Sequence, residues 1–170
     1  MKRRLILWTV PALLWIFFTV WYTDLGGPLT DVEVRDGIAL MESRGYDPVR
    51  LRKLEAFLRT DSGGQFLMVN NIDLSDDPPP MEGFGPEATA DDYVAHYMEH
   101  MIPELLSRAC HPVFFASGTG YVADLAGIDN AEGWDTAALF RYRSRRDFLS
   151  IITHPDIGER HEYKLAALTK

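Results

Sequence analysis

The apolar residues of this chain change their spacing as it proceeds, and each spacing predicts an element. Leu5–Thr23 (LILWTVPALLWIFFTVWYT) is an apolar run without a charge. At ~1.5 Å rise per residue a helix over it would reach roughly 28 Å. Asp31–Ser43 has a weak helical period through Val34, Ile38 and Met41. A clearer one follows: Asp47 can cap, Pro48 suits the first helical position, and Val49, Leu51, Leu54, Phe57 and Leu58 line one face. Gln65–Leu74 alternates as a strand does, with Phe66, Met68, Ile72 and Leu74 on one face and Leu67 and Val69 on the other. Such a strand needs cover on both sides. After a Pro- and Gly-rich loop over Ser75–Glu87, Thr89 can cap a helix running to about Arg108, with Asp91 and Asp92 in its first turn. Its expected core face is Val94, Met98, Met101 or Ile102, and Leu105, and Pro103 predicts a bend.

The second half repeats the alternation. Pro112–Ser117 and Tyr121–Ile128 read as strands about a turn at Gly118-Thr-Gly120. Asp129–Gly133 is a loop, and Trp134–Arg143 is a strand. Ser144 can cap the next helix, with Asp147 three residues on in a box-like pattern, and His154-Pro155 ends it. Ile157–Glu162 reads as one further turn, and Tyr163–Leu168 as a closing strand. The order βαββαβ is the ferredoxin-like pattern, an α+β fold with an antiparallel sheet.

Charge adds an orientation to the first run. Lys2, Arg3 and Arg4 precede it, and Asp24, Asp31, Glu33 and Asp36 follow. Trp8 lies near one end, with Trp21 and Tyr22 at the other, where interfacial aromatics belong. No small-x-small cleavage site stands before Asp24. These features predict a transmembrane signal-anchor over residues 1–24 that contacts the lipid bilayer through residues 5–23. The N-terminus is then cytoplasmic and the C-terminal domain periplasmic or otherwise extracytoplasmic. Residues 25–62 read as a helical neck, and 63–170 as the ferredoxin-like domain. The net charge is −8, and removing the three leading basic residues takes it to −11. Such a surface repels phosphate backbones, which excludes nucleic acid as an expected partner. Cys110 is the single cysteine, so no intrachain disulfide is possible.

Few residues suggest chemistry. His96 and His100 share a helix face flanked by Tyr93 and Tyr97. They could hold a metal only if the fold supplied Glu99, Glu104 or another third ligand; otherwise they are solvated or partly buried polar residues, and candidates for ligand binding. Cys110-His111 are neighbours on a strand and point to opposite faces, unsuited to a thiolate–imidazole pair. Gly118-Thr-Gly120 precedes no helix N-terminus, so it is a turn and not a phosphate cradle. Asn70 and Asn71 sit among apolar residues in mid-strand, where an amide needs partners, so either can face a pocket. Arg141 and Arg143 share a strand face, where they either pair with acidic groups or hold an anionic ligand.

The phrase FRYRSRRDFLSIITHPDIGERHEY resembles the second half of the dimeric α/β-barrel superfamily. That superfamily includes antibiotic-biosynthesis-type and haem-degrading monooxygenases and several uncharacterised branches, and the closest likeness is to an uncharacterised branch. The shared features are an aromatic ending a strand (Tyr142), a Ser-led helix with an aromatic (Ser144, Phe148) and a His after it (His161). The likeness covers about Gln65–Lys170. It implies a homodimer whose two sheets face each other, while a monomer whose second sheet face is covered by the neck helices stays open. In the haem-degrading members an Asn on the first strand, an aromatic ending the fourth and a His after the second helix form the site. Asn70 or Asn71, Tyr142 and His161 match these positions, with Tyr142 in place of the family's tryptophan. Two functions follow. One is a membrane-tethered dimeric module that binds a small ligand or joins a membrane complex. The other is a cofactor-free or haem-dependent oxygenase acting on a small hydrophobic or haem-like substrate through Asn71, Tyr142 and His161.

Overall fold

The computed structural model describes residues 2–118 and 133–169. The strand expected over Tyr121–Ile128 lies outside them. The chain divides into two compact units: Met1–Phe66 with Tyr142–Leu149, and Leu67–Arg141 with Ser150–Lys170.

The first unit is helical. α1 (Lys2–Tyr22) is followed by α2 (Asp31–Ser43) and α3 (Pro48–Arg59), which pack on each other. Their ends are set by local chemistry. Thr30 and Glu33 form a reciprocal capping box for α2, and the Asp47 carboxylate accepts from the Val49 and Arg50 amides before α3. Val34, Met41, Leu51 and Leu58 are buried. Phe57, Phe66, Tyr142 and Phe148 form an aromatic cluster in which Phe66 stacks on Tyr142 at 5.1 Å between centroids. Gly63, at φ +76°, lets the chain pass the Gly27–Pro28 backbone. A Cβ there would lie 2.8 Å from Gly27 C and Pro28 N.

The second unit carries the sheet. β1 (Phe66–Ile72), β2 (His111–Ser117) and β3 (Thr136–Tyr142) lie in the order β1-β3-β2, with β2 antiparallel to β3. Phe66 meets Tyr142 at one end of β1, and the Asp135 amide donates to the Ile72 carbonyl at the other, so β1 also runs antiparallel to β3. α4 (Ala90–Ser107) packs on β2 and on α6 (Pro155–Ala166), and α5 (Arg145–Ile152) runs from the first unit into the second. α4 buries Ala90, Tyr93, Tyr97, Met101 and Leu105. The expected Val94 and Met98 are half-buried beside this stripe, because the tyrosines carry most of the helix packing.

Two expectations are corrected. Among the described residues no helix is long and apolar enough to cross a membrane. This overturns the transmembrane signal-anchor, the lipid contact through residues 5–23, the cytoplasmic N-terminus and the extracytoplasmic C-terminal domain. The fold remains α+β, but the closing strand at Tyr163–Leu168 is absent. Pro155 at the first helical position and Asp156 in the first turn start a helix that good helix formers carry through Ala166. A single antiparallel bridge, Leu74 to Leu168, stands where a fourth strand was expected.

Candidate binding cleft

The loop after β1 is tied down at its polar atoms. The Ser75 amide donates to the Ala167 carbonyl and the Thr169 amide to the Asp73 carbonyl, each at 2.9 Å. The Tyr93 hydroxyl donates to the Pro79 carbonyl at 3.0 Å, and the Tyr163 hydroxyl to the Glu82 carbonyl at 3.1 Å. Beneath these bonds Ala90, Tyr93 and Ala167 form a small core, with Leu74, Met81 and Phe84 against it. Phe84 meets the edges of Tyr93 at 4.9 Å and His96 at 5.5 Å. Thr89 caps α4 in a reciprocal box with Asp92, whose carboxyl is held below its usual range by the Thr89 backbone and side-chain hydrogen bonds.

Between this loop, α4 and α6 lies an open cleft of about 430 Å³. Its walls are Met81, His96 and Tyr163, and its charged residues are Glu82, Glu159, Arg160 and Glu162. The His96 and Tyr163 rings stand edge to face at 4.8 Å. The sequence singled out His96 here but not the α6 residues, because it cast that stretch as a turn and a strand. The signal for them was the helix-forming run after Pro155.

The remaining candidates are scattered. His100 Nε2 lies 3.7 Å and His154 Nδ1 3.8 Å from Asp156 Oδ2, both beyond hydrogen-bond length, and buried His154 Nδ1 has no hydrogen-bond partner among the described residues. No group of three His, Cys, Asp or Glu among the described residues could hold a metal ion. His161 is half-buried on α6 with its ring 6.1 Å from Tyr97. Lys164 sits 5.6 Å over the same Tyr97 ring, its ammonium pushed down by burial. Asn71 is exposed on β1, on the face opposite half-buried Asn70. Tyr142 is buried in the aromatic cluster of the first unit.

Neither arginine is held out for an anion. Buried Arg141 donates to the Ala109 carbonyl at 2.7 Å, fastening the left-handed turn after α4, where Ala109 has φ +54°. Arg143 forms a two-pronged pair with Asp147, 2.7 Å on each prong, and donates to the Trp21 carbonyl at 2.9 Å. These residues do not fit a haem. The cleft beside α6 presents three glutamates where anionic propionates would need positive charge, and the His161 ring is set against Tyr97.

No family model and no curated protein matches the chain. Two crystal structures are similar. One is the RPA0582 protein of unknown function from Rhodopseudomonas palustris, with a TM-score of 0.56 at 20% identity, over 72% of this chain and 86% of that one. The other is the methylated RPA0582 protein, with a TM-score of 0.58 at 20% identity, over 72% of this chain and 84% of that one. At this identity the likeness is one of fold alone.

Proposed function

We propose that the chain is one protomer of a homodimeric binding and assembly module of the dimeric α/β-barrel kind, in which the open faces of two sheets close on each other. The observation that carries this is the sheet's uncovered apolar face. Leu67 is 55% exposed, Val69 62% and Phe114 50%. Alternation puts Leu67 and Val69 on the face opposite Phe66. Phe66 stacks on Tyr142, so Leu139, an odd number of residues from Tyr142, shares the face of Leu67 and Val69, and its cross-strand partner Phe114 completes the patch. Contiguous exposed apolar area of this kind marks an interaction surface.

A second copy suits it on charge. The chain has a net charge of −8, which makes two copies repel at most surfaces. Among the described residues of β1, β2 and β3 this face carries no acidic residue; Arg141 on it is buried against the Ala109 carbonyl, and its cross-strand partner His111 is half-buried. Asn71 also projects from it. Between two closed sheets the Asn71 amides would need partners, which a small polar group on an otherwise apolar ligand supplies. The oxygenase reading lacks this support, since the Tyr142 ring is stacked on Phe66 on the other face and His161 lies on α6.

Sedimentation of the full chain tests the reading. The wild type is expected to be dimeric at micromolar concentration. The double variant Val69→Lys/Phe114→Lys is expected to be monomeric while keeping a cooperative thermal transition. A monomeric wild type, or a double variant that remains dimeric, would overturn the proposal.

A further inference from the structure

The cleft between α4, α6 and the loop after β1 lies within the second unit, apart from the open sheet face, so an inference drawn there stands or falls independently of dimerisation. We infer that this cleft binds a small organic cation: an ammonium group on an apolar, preferably aromatic, body.

The cleft has three properties that an ammonium ligand uses together. Its charge balance is negative, with Glu82, Glu159 and Glu162 against Arg160. None of these four side chains makes an ion pair or hydrogen bond among the described residues, so their charges are not consumed internally. Surface carboxylates are ordinary when they stand alone on a convex face. These gather around an open concavity of about 430 Å³, so their potentials add there.

The wall itself is aromatic. Tyr163 and His96 line it, their rings 4.8 Å apart, and Phe84 stands 5.5 Å behind His96. Aromatic faces attract ammonium groups and take up apolar bodies, and Met81 adds a polarisable contact.

The wall is also held in place before any ligand arrives. The Tyr163 hydroxyl is committed to the Glu82 carbonyl, which fixes the ring and draws the Glu82 segment to the rim. The Tyr93 hydroxyl holds the Pro79 carbonyl. A preformed wall lowers the ordering cost of binding. An anionic ligand would meet three carboxylates for one guanidinium, and a neutral one would leave the field unused.

Nuclear magnetic resonance titration of the isotopically labelled full chain tests this with three probes of one shape at constant ionic strength: phenethylammonium, 2-phenylethanol and 3-phenylpropanoate. Phenethylammonium is expected to give saturable shifts at His96 and Tyr163. The alcohol should bind roughly fivefold or more weakly, and the carboxylate should give no saturable shift. Glu159→Gln/Glu162→Gln should weaken phenethylammonium by about fivefold, and Arg160→Gln should tighten it about twofold, with the β1 resonances unmoved. If the double variant does not fold, Glu82→Gln, exposed on the loop, replaces it with the same expected direction. No saturable shift with phenethylammonium, equal binding of the alcohol, or indifference of binding to the folded glutamate variants would overturn the inference.

Discussion

Two helices that follow each other in the chain are both rich in charged residues and use them in opposite ways. At the start of α5 the run Arg143-Ser-Arg-Arg146 has the composition of an anion site, yet every guanidinium is occupied. Arg143 holds Asp147 and the Trp21 carbonyl. Arg145 bonds the Phe57 carbonyl and the Thr60 hydroxyl and lies 4.2 Å over the Phe57 ring. Arg146 reaches Glu33 at 2.7 Å and the Pro28 carbonyl at 3.0 Å. A guanidinium has five donors in a fixed fork, so it can satisfy carboxylates and orphan carbonyls at once. On α6, Glu159, Arg160 and Glu162 make no such bonds among the described residues and border the cleft instead. Charge density alone therefore marks neither a site nor a strut. The difference is whether the fold has supplied partners.

Four substitutions probe that contrast, in order of expected effect. Asp147→Ala should cost most, about 3 kcal/mol in chemical denaturation. It strips the partner from Arg143 and removes the carboxylate that accepts from the buried Ser144 hydroxyl at the start of α5. Gly63→Ala should cost about 2 kcal/mol by the same measurement, since it puts a Cβ at positive φ against the Gly27–Pro28 backbone. A cost below half of that would show that this passage relaxes freely.

Glu33→Gln should cost about 1 kcal/mol at neutral pH, allowing for solvent screening of a side chain 36% exposed. The Arg146 guanidinium and the Thr30 bonds hold the Glu33 carboxyl at about 2, from an ordinary 4.5. Its contribution is thus complete above about pH 4.5 and is lost as pH falls toward 2. Melting temperature against pH should accordingly be flatter across that window in the variant than in the wild type. Arg160→Ala should change stability least, by less than about 0.5 kcal/mol, because no partner is lost. A larger loss would mean that α6 uses its charges as α5 does.

Signals that depended only on neighbours in the chain were legible. Asp47-Pro48, Thr89 with Asp92, and Ser144 with Asp147 each marked a helix start, and each makes the bonds its spacing implied. The Thr30-x-x-Glu33 box was equally local, but the helical period that follows it, through Val34, Ile38 and Met41, is weak, so the start it marks does not stand out from the pattern. The site was less legible. His96 could be placed on a helix face, but its cleft needed Tyr163 and the α6 charges, which fell in a segment read as turn and strand.

By itself, then, the sequence determined the α+β class, the order of the described elements β1, α4, β2, β3 and α5, the caps at Asp47, Thr89 and Ser144, and the fact that β1 has two apolar faces. These follow from spacing and from bonds that close within a few residues. The tertiary structure alone decided which face of β1 stays uncovered, because alternation names two faces without ranking them. It decided that Tyr163–Leu168 continues a helix up to Ala166, since α6 has α4 to pack against. It also decided which charges are spent: the carboxylate that engages Arg146 lies 113 residues earlier in the chain, and no local pattern carries that distance.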